Sequence, residues 1–283
     1  MAALAGGIIG AGCMAAANAQ LTSYEPFSGY TIGAQVTVTT PSPATSGYTG
    51  NWTAIDWGDG HPVVNSGPLS YSGAGYAGGV GNHIGLANAA FDQPNSGRMY
   101  RLLDSSLAAT ASTTGTRYLS WLFQSGNQGV TTYQMLDLYN SNTADPNRNF
   151  TAGITQNGGN SGSQYDFGVA EAYTSTGVSV DTGVHLFVVK FDFSASAASD
   201  NVTLWLDPTL GAGDPATGGI VVSGKDLVFD RLAISDYDEN SANWGEIRWG
   251  TTFDSVTTAA VPEPSTFALM GLGALGFLLR RKH

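Results

Sequence analysis

Paired carboxylates, histidines and loop tryptophans are the residues of this chain that could do chemistry, and each implies a different activity. Cleaving a glycosidic bond takes two carboxyl groups about 5 to 9 Å apart across it. The densest acidic run, Asp236-Tyr237-Asp238-Glu239, is followed by Asn240, Ser241 and Asn243 and reads as a solvated loop. No catalytic residue is assigned, and the chain is read as non-enzymatic. His61, His83 and His185 have no cysteine or second histidine close in sequence, so zinc is not expected, and His185 reads as a strand residue with a satisfied ring. There is no Gly-x-Ser-x-Gly nucleophile elbow, and the glycine-rich run from Gly73 to Gly81 lacks the lysine that phosphate cradling needs.

Two binding chemistries remain. In Asp56-Trp57-Gly58-Asp59-Gly60 two carboxylates share a flexible segment, so Asp56 and Asp59 are candidate calcium ligands, although calcium takes six or more oxygens. Trp52, Trp57 and Trp244 lie among Asn, Asp and Gly and are the candidate glycan contacts, since an aromatic face stacks on a sugar ring. Trp121, Trp205 and Trp249 fall in strand-like runs and are expected in the core or on a sheet face.

The elements that must position these residues read as strands. His185 to Phe193 is the clearest core element, with His185, Phe187, Val189, Phe191 and Phe193 on one face and Leu186, Val188, Lys190 and Asp192 on the other. Its expected partner is Asn201 to Leu206, ended by Asp207-Pro208 because proline cannot donate to a ladder. Further strands are expected at 98–103, 117–123, 133–138, 150–155, 165–170, 227–234 and 246–252, separated by Asn, Gly and Pro. From Leu21 to about Gly97 long loops and irregular edges are expected. No segment sustains the helical period of 3.6, so the fold class is all-β, a sandwich or meander.

Composition agrees. The 283 residues are 42% hydrophobic and only 12% charged, with 38 glycines, which suits one turn-rich exported β-domain. Residues 1–19 read as a signal peptide: small and apolar, ending in Ala17-Asn18-Ala19 before Gln20, the small-x-small pattern that signal peptidase accepts. No basic residue precedes Leu4, so the true start is expected upstream. The single cysteine, Cys13, falls in this segment, so the domain at 20–260 carries no disulfide. Three of the 11 basic residues and one of the 22 acidic ones lie beyond residue 260, which leaves 8 against 21 and a net charge of −13 on the domain. Such a surface excludes nucleic acid as a partner.

At the C-terminus Val261-Pro262-Glu263-Pro264 precedes an uncharged run from Phe267 to Leu279 and then Arg280, Arg281 and Lys282. As a helix the thirteen-residue run would be roughly 20 Å long, short of the roughly 30 Å hydrocarbon core. A membrane engagement that ends in processing is expected, with the basic end in the cytoplasm. These residues resemble the PEP-CTERM sorting signal of Gram-negative bacteria. The resemblance implies recognition of residues 261–283 by exosortase, a membrane transpeptidase, and an origin in exopolysaccharide-producing, biofilm-forming organisms.

A second resemblance lies in the domain. His185 to Phe193, Val202 to Pro208, Phe229-Asp230-Arg231-Leu232 and Trp244 to Thr252, in that order, are similar to the concanavalin A-like, laminin-G-like jelly roll. The glycan-cleaving version of that fold places Glu-x-Asp-x-Glu or Glu-x-Asp-x-x-Glu on one strand, and none of Glu25, Glu171, Glu239 or Glu246 sits in such a run. Together the resemblances imply an exported structural or adhesive protein of the cell surface or extracellular matrix, the alternative being a calcium-assisted glycan-binding module. A glycoside hydrolase ranks third.

Overall fold

The computed structural model describes residues 21–258 except 35, 37–45, 57–61, 77, 79–80, 86–96, 127–132, 156–161, 197, 212 and 238–241. In chain order the strands are β1 (Leu21–Glu25), β2 (Tyr48–Asp56), β3 (Val63–Asn65), β4 (His83–Gly85), β5 (Gly97–Leu103), β6 (Gly115–Ser125), β7 (Tyr133–Tyr139) and β8 (Arg148–Ile154). They continue with β9 (Gln164–Val169), β10 (Ala172–Ser179), β11 (Val184–Phe193), β12 (Asp200–Leu206), β13 (Ile220–Lys225), β14 (Arg231–Tyr237) and β15 (Ala242–Gly250), and a one-turn helix α1 (Phe253–Thr257) closes the series.

Every pairing is antiparallel, and the strands form two sheets. The eight-stranded sheet runs β13-β12-β11-β6-β15-β4-β3, with β1 also paired to β15, and the seven-stranded sheet runs β10-β9-β8-β7-β14-β5-β2. The expected partnership of the strand at 185–193 with that at 201–206 is present, in the register Phe187 to Leu206 and Phe191 to Val202. β7 to β10 and β11 to β13 run as meanders within one sheet, whereas most other connections cross from one sheet to the other, so that both sheets wrap one core.

The core lies between the sheets and is aromatic. Phe191 meets Phe150 at 5.4 Å and Trp249 at 6.2 Å, and Phe187 stacks on Trp121 at 4.9 Å. A second apolar cluster covers the outer face of the eight-stranded sheet: Leu122, Leu186, Val188 and Trp205 lie beneath Leu69, Phe253 and Val256. This is why the strand at 184–193 is apolar on both faces up to Val189 rather than alternating. The helix that brings Phe253 and Val256 down begins at a capping box in which Thr252 and Ser255 bond each other's backbone.

Three placements differ from the sequence reading. The strand expected at 227–234 begins at Arg231; Leu227 and Phe229 are buried outside the ladder, Phe229 through a single bridge to Ala109. Asp236 is not in a solvated loop but buried near the end of β14. Before Gly97, four strands, of which β2 is nine residues long, occupy what read as loop, although much of that region lies outside the described residues.

Candidate functional site

The two outer sheet faces have opposite characters. That of the eight-stranded sheet is roofed with apolar side chains. On the seven-stranded sheet, alternation places Arg98 and Tyr100 of β5, Arg231 and Ser235 of β14, Asp137 and Tyr139 of β7, and Arg148 and Thr151 of β8 outward, because their neighbours Met99, Leu232, Leu136 and Phe150 enter the core. A polar layer across one sheet face is the candidate site.

Asp137 is its centre. Arg98 donates from Nε to Ser235 Oγ at 2.8 Å, and Ser235 donates to Asp137 Oδ2 at 2.8 Å. Tyr139 O–H reaches the same Oδ2 at 3.4 Å, while the Arg98 guanidinium lies 5.0 Å over the Tyr139 ring and donates to the Thr143 carbonyl. Next along the sheet, Arg148 donates to Glu171 at 3.2 Å and to Tyr173 Oη at 2.8 Å. Burial works against the Arg148 charge, but Asp137 and Glu171 more than offset it, so its pKa is raised and it is fully charged. At the rim, Arg231 grips Asp230 through two bonds of 2.7 and 3.1 Å and lies 5.3 Å over the half-buried Tyr100 ring. Asp137 Oδ1 and Thr151 Oγ1, on residues directly opposite each other in register, are buried without a hydrogen-bond partner among the described residues. Hydrogen-bonding capacity that the protein leaves unused is thus gathered at one point of the layer.

Of the residues singled out from sequence, Trp52 and Trp244 are corrected. Both are strand residues whose neighbours point outward while their indoles fill the core, at 0% and 1% exposure, so neither offers a ring face to a sugar. Trp52 packs on Phe27 at 6.0 Å, and the buried Glu25 receives Arg101 at 2.7 Å. Trp244 meets Phe123 at 5.5 Å. Asp56 is the last residue of β2, opposite Gly97, while Trp57 and Asp59 lie outside the described residues. Among the described residues no group of three His, Asp, Glu or Cys side chains is placed to hold a metal ion. Ala17, Ala19 and the tail residues Val261, Pro262, Glu263, Pro264, Arg280, Arg281 and Lys282 also lie outside the described residues. No helix among the described residues is long and apolar enough to cross a membrane.

The polar layer was missed in sequence because arginines within strands read as solvated. The signal was there: Arg98 and Tyr100 alternate with Met99 and Arg101, which assigns the first pair to one face.

Comparison with known proteins gives the class. Residues 260–282 match the PEP-CTERM protein-sorting motif. The chain is therefore an exported β-sandwich protein that exosortase sorts to the envelope of a bacterium. No curated protein matches it in sequence. Among solved structures it is similar to the endo-β-1,4-glucuronan lyase of the fungus Trichoderma reesei, at 8% identity and a TM-score of 0.44 over 76% of this chain and 97% of the other. It is also similar to the binding domain of botulinum neurotoxin serotype G, at 7% identity and a TM-score of 0.43 over 83% and 49% of the two chains. A protein of unknown function from Shewanella oneidensis MR-1 aligns at 10% identity and a TM-score of 0.43 over 86% and 90%. These likenesses concern the arrangement of strands alone.

Proposed function

We propose that the protein is a non-catalytic structural or adhesive component of the outer surface or extracellular matrix of a Gram-negative bacterium, and that it contacts matrix polysaccharide through the outer face of its seven-stranded sheet. The sorting motif supports the destination. The observation that carries the binding role is the half-buried rim of the arginine and tyrosine layer, where Arg231, held by Asp230, lies 5.3 Å over the Tyr100 ring. Fixed guanidinium donors and tyrosine hydroxyls on a rigid sheet can read sugar hydroxyls or carboxylates at little entropic cost. A surface of net charge −13 would repel an anionic polysaccharide elsewhere, which makes an arginine-bearing face the natural point of contact.

The test is binding of the exported protein to the polysaccharide of its own matrix and to a panel of neutral and uronate-containing glycans, with and without calcium. Saturable binding that falls at least about tenfold in Arg231→Ala and Tyr100→Ala supports the reading. Unchanged binding in both variants would move the contact elsewhere. Release of reducing ends or unsaturated products from any of these glycans would replace it with an enzymatic one.

A further inference from the structure

Two of the arginines on the outer face of the seven-stranded sheet are each gripped by a carboxylate. Arg231 binds both oxygens of Asp230, and Arg148 donates from two nitrogens to Glu171 at 3.2 and 3.4 Å. In both pairs the guanidinium is the buried member: the side chains of Arg231 and Arg148 are 12% and 5% exposed, those of Asp230 and Glu171 42% and 45%. A ligand approaching this face meets the carboxylates first.

Cross-strand register sets the two pairs in one row. Arg148 of β8 stands opposite Tyr139 of β7, Tyr139 opposite Arg231 of β14, and Arg231 opposite Leu102 of β5. Two strand spacings, about 9.5 Å, separate the arginines along the row. At one end Leu102, 39% exposed, adds an apolar surface beside Arg231. At the other, Glu171 sits in the two-residue turn from β9 to β10, where Ala170 and Glu171 take φ of 47° and 63°. Asn or Gly adopts that conformation with the least strain, so the turn holds a carboxylate over Arg148 at the expense of backbone energy.

The charges decide which sugar groups such a row can take. Asp137 and Asp166 lie buried on the same face, so even with Arg98 counted, carboxyl groups outnumber guanidiniums on it among the described residues. The arginines here cancel the repulsion that a domain of net charge −13 exerts on an anionic chain, but they do not reverse it. A uronate would also have to displace Asp230 or Glu171 from its guanidinium. A neutral sugar displaces nothing. A carboxylate has about four acceptor sites; Asp230 fills three of them with Arg231 and the Ser141 amide, and Glu171 three with Arg148 and Tyr173. One acceptor site is left at each among the described residues, facing solvent and ready for a hydroxyl.

We propose, resting on the glycan-contact reading above, that the ligand of this face is a neutral, hydroxyl-rich polysaccharide whose hydroxyls donate to Asp230 and Glu171, with Arg231 and Arg148 holding those carboxylates in place. The C–H face of the sugar ring lies on Leu102.

The test uses the full-length protein and the polysaccharide of its own matrix, separated by anion exchange into neutral and uronate-bearing fractions, with part of the latter carboxyl-reduced. Saturable binding to the neutral and carboxyl-reduced fractions is expected, equal at low and high salt and in chelator. Glu171→Gln and Asp230→Asn, both at exposed side chains, remove the charge that matches Arg148 and Arg231. Each should shift the ratio of affinities toward the uronate fraction by about tenfold. Wild-type binding that is as tight or tighter to the uronate fraction, or to a fraction bearing free amines, overturns the inference and leaves the glycan-contact reading standing. Binding to no fraction overturns both. The carboxyl-reduction comparison on the wild type decides the matter should a variant lose its fold.

Discussion

His185 shows how a single residue ties the sandwich end together. Its Nδ1 lies 2.6 Å from Asp207 and its Nε2 2.9 Å from Asp181, so that the protonated ring donates to a carboxylate on each side. Burial against Tyr165 depresses its pKa, but the two hydrogen bonds and charges more than offset that, so it lies above the ordinary 6.5. The hydrogen bond from His185 holds Asp181 below its ordinary 3.8. A raised histidine contributes stability in full below its unfolded pKa and loses it as pH rises through the folded one; a depressed aspartate contributes above its unfolded pKa and loses it in acid. The clamp is therefore complete between about pH 4 and 6.5. The melting temperature of the wild type should exceed that of His185→Gln most in this window, with the gap closing toward pH 9. A constant gap would show that the ring acts by packing alone. At the other side of the core Glu25→Ala would leave Arg101 buried without its ion pair, and a loss of about 3 to 5 kcal/mol in denaturant unfolding is expected. Such charges were illegible in the sequence because the partners are distant: Glu25 and Arg101 are 76 residues apart.

At the scale of elements, most strands with apolar alternation could be read from their residues. The stretches at 184–193 and 200–206 stand almost where periodicity puts them. Those that were missed have a common physical cause. β10 and β13 are edges whose Ser, Thr and Gly need bury only one flank, and β3 and β4 are three residues each, too short for any period. Trp52 and Trp244 misled for the complementary reason: the Asn and Gly beside them are outward or bulge positions of strands, β2 at the edge of its sheet and β15 inside its own. β15 is bulged between Gly245 and Arg248, where Glu246 takes a positive φ of 52° and pairs with buried Arg248 at 2.6 Å. One glycine is equally exacting. Gly153 of β8 has φ +145°, and a Cβ there would stand 2.1 Å from the Gln134 carbonyl oxygen of β7. Gly153→Ala should therefore part β7 from β8 beneath Asp137, with a loss of more than about 3 kcal/mol and of any glycan binding together. Binding kept at wild-type strength in that variant would detach the polar layer from the β7–β8 ladder.

For the whole molecule, destination and fold are written in separate stretches. The sorting motif occupies residues 260–282, whereas the last described element, α1, ends at Thr257. Truncation after residue 258 should leave the thermal unfolding of the domain unchanged within about 1 kcal/mol while the protein is lost from the envelope to the medium, as fractionation would show. A large fall in stability would mean that the tail packs on the sandwich.

The position of β15 sets an order in time. This strand is made last, yet it is internal to its sheet, flanked by β6 on one side and by β1 and β4 on the other. The first strand of the domain thus waits for the last, and no subset of earlier strands closes the core over Trp121 and Phe123. Between Gly250 and the motif, residues 251–259 span at most about 30 Å when extended. The eight-stranded sheet is thus completed only by the residues that lie immediately ahead of the sorting motif.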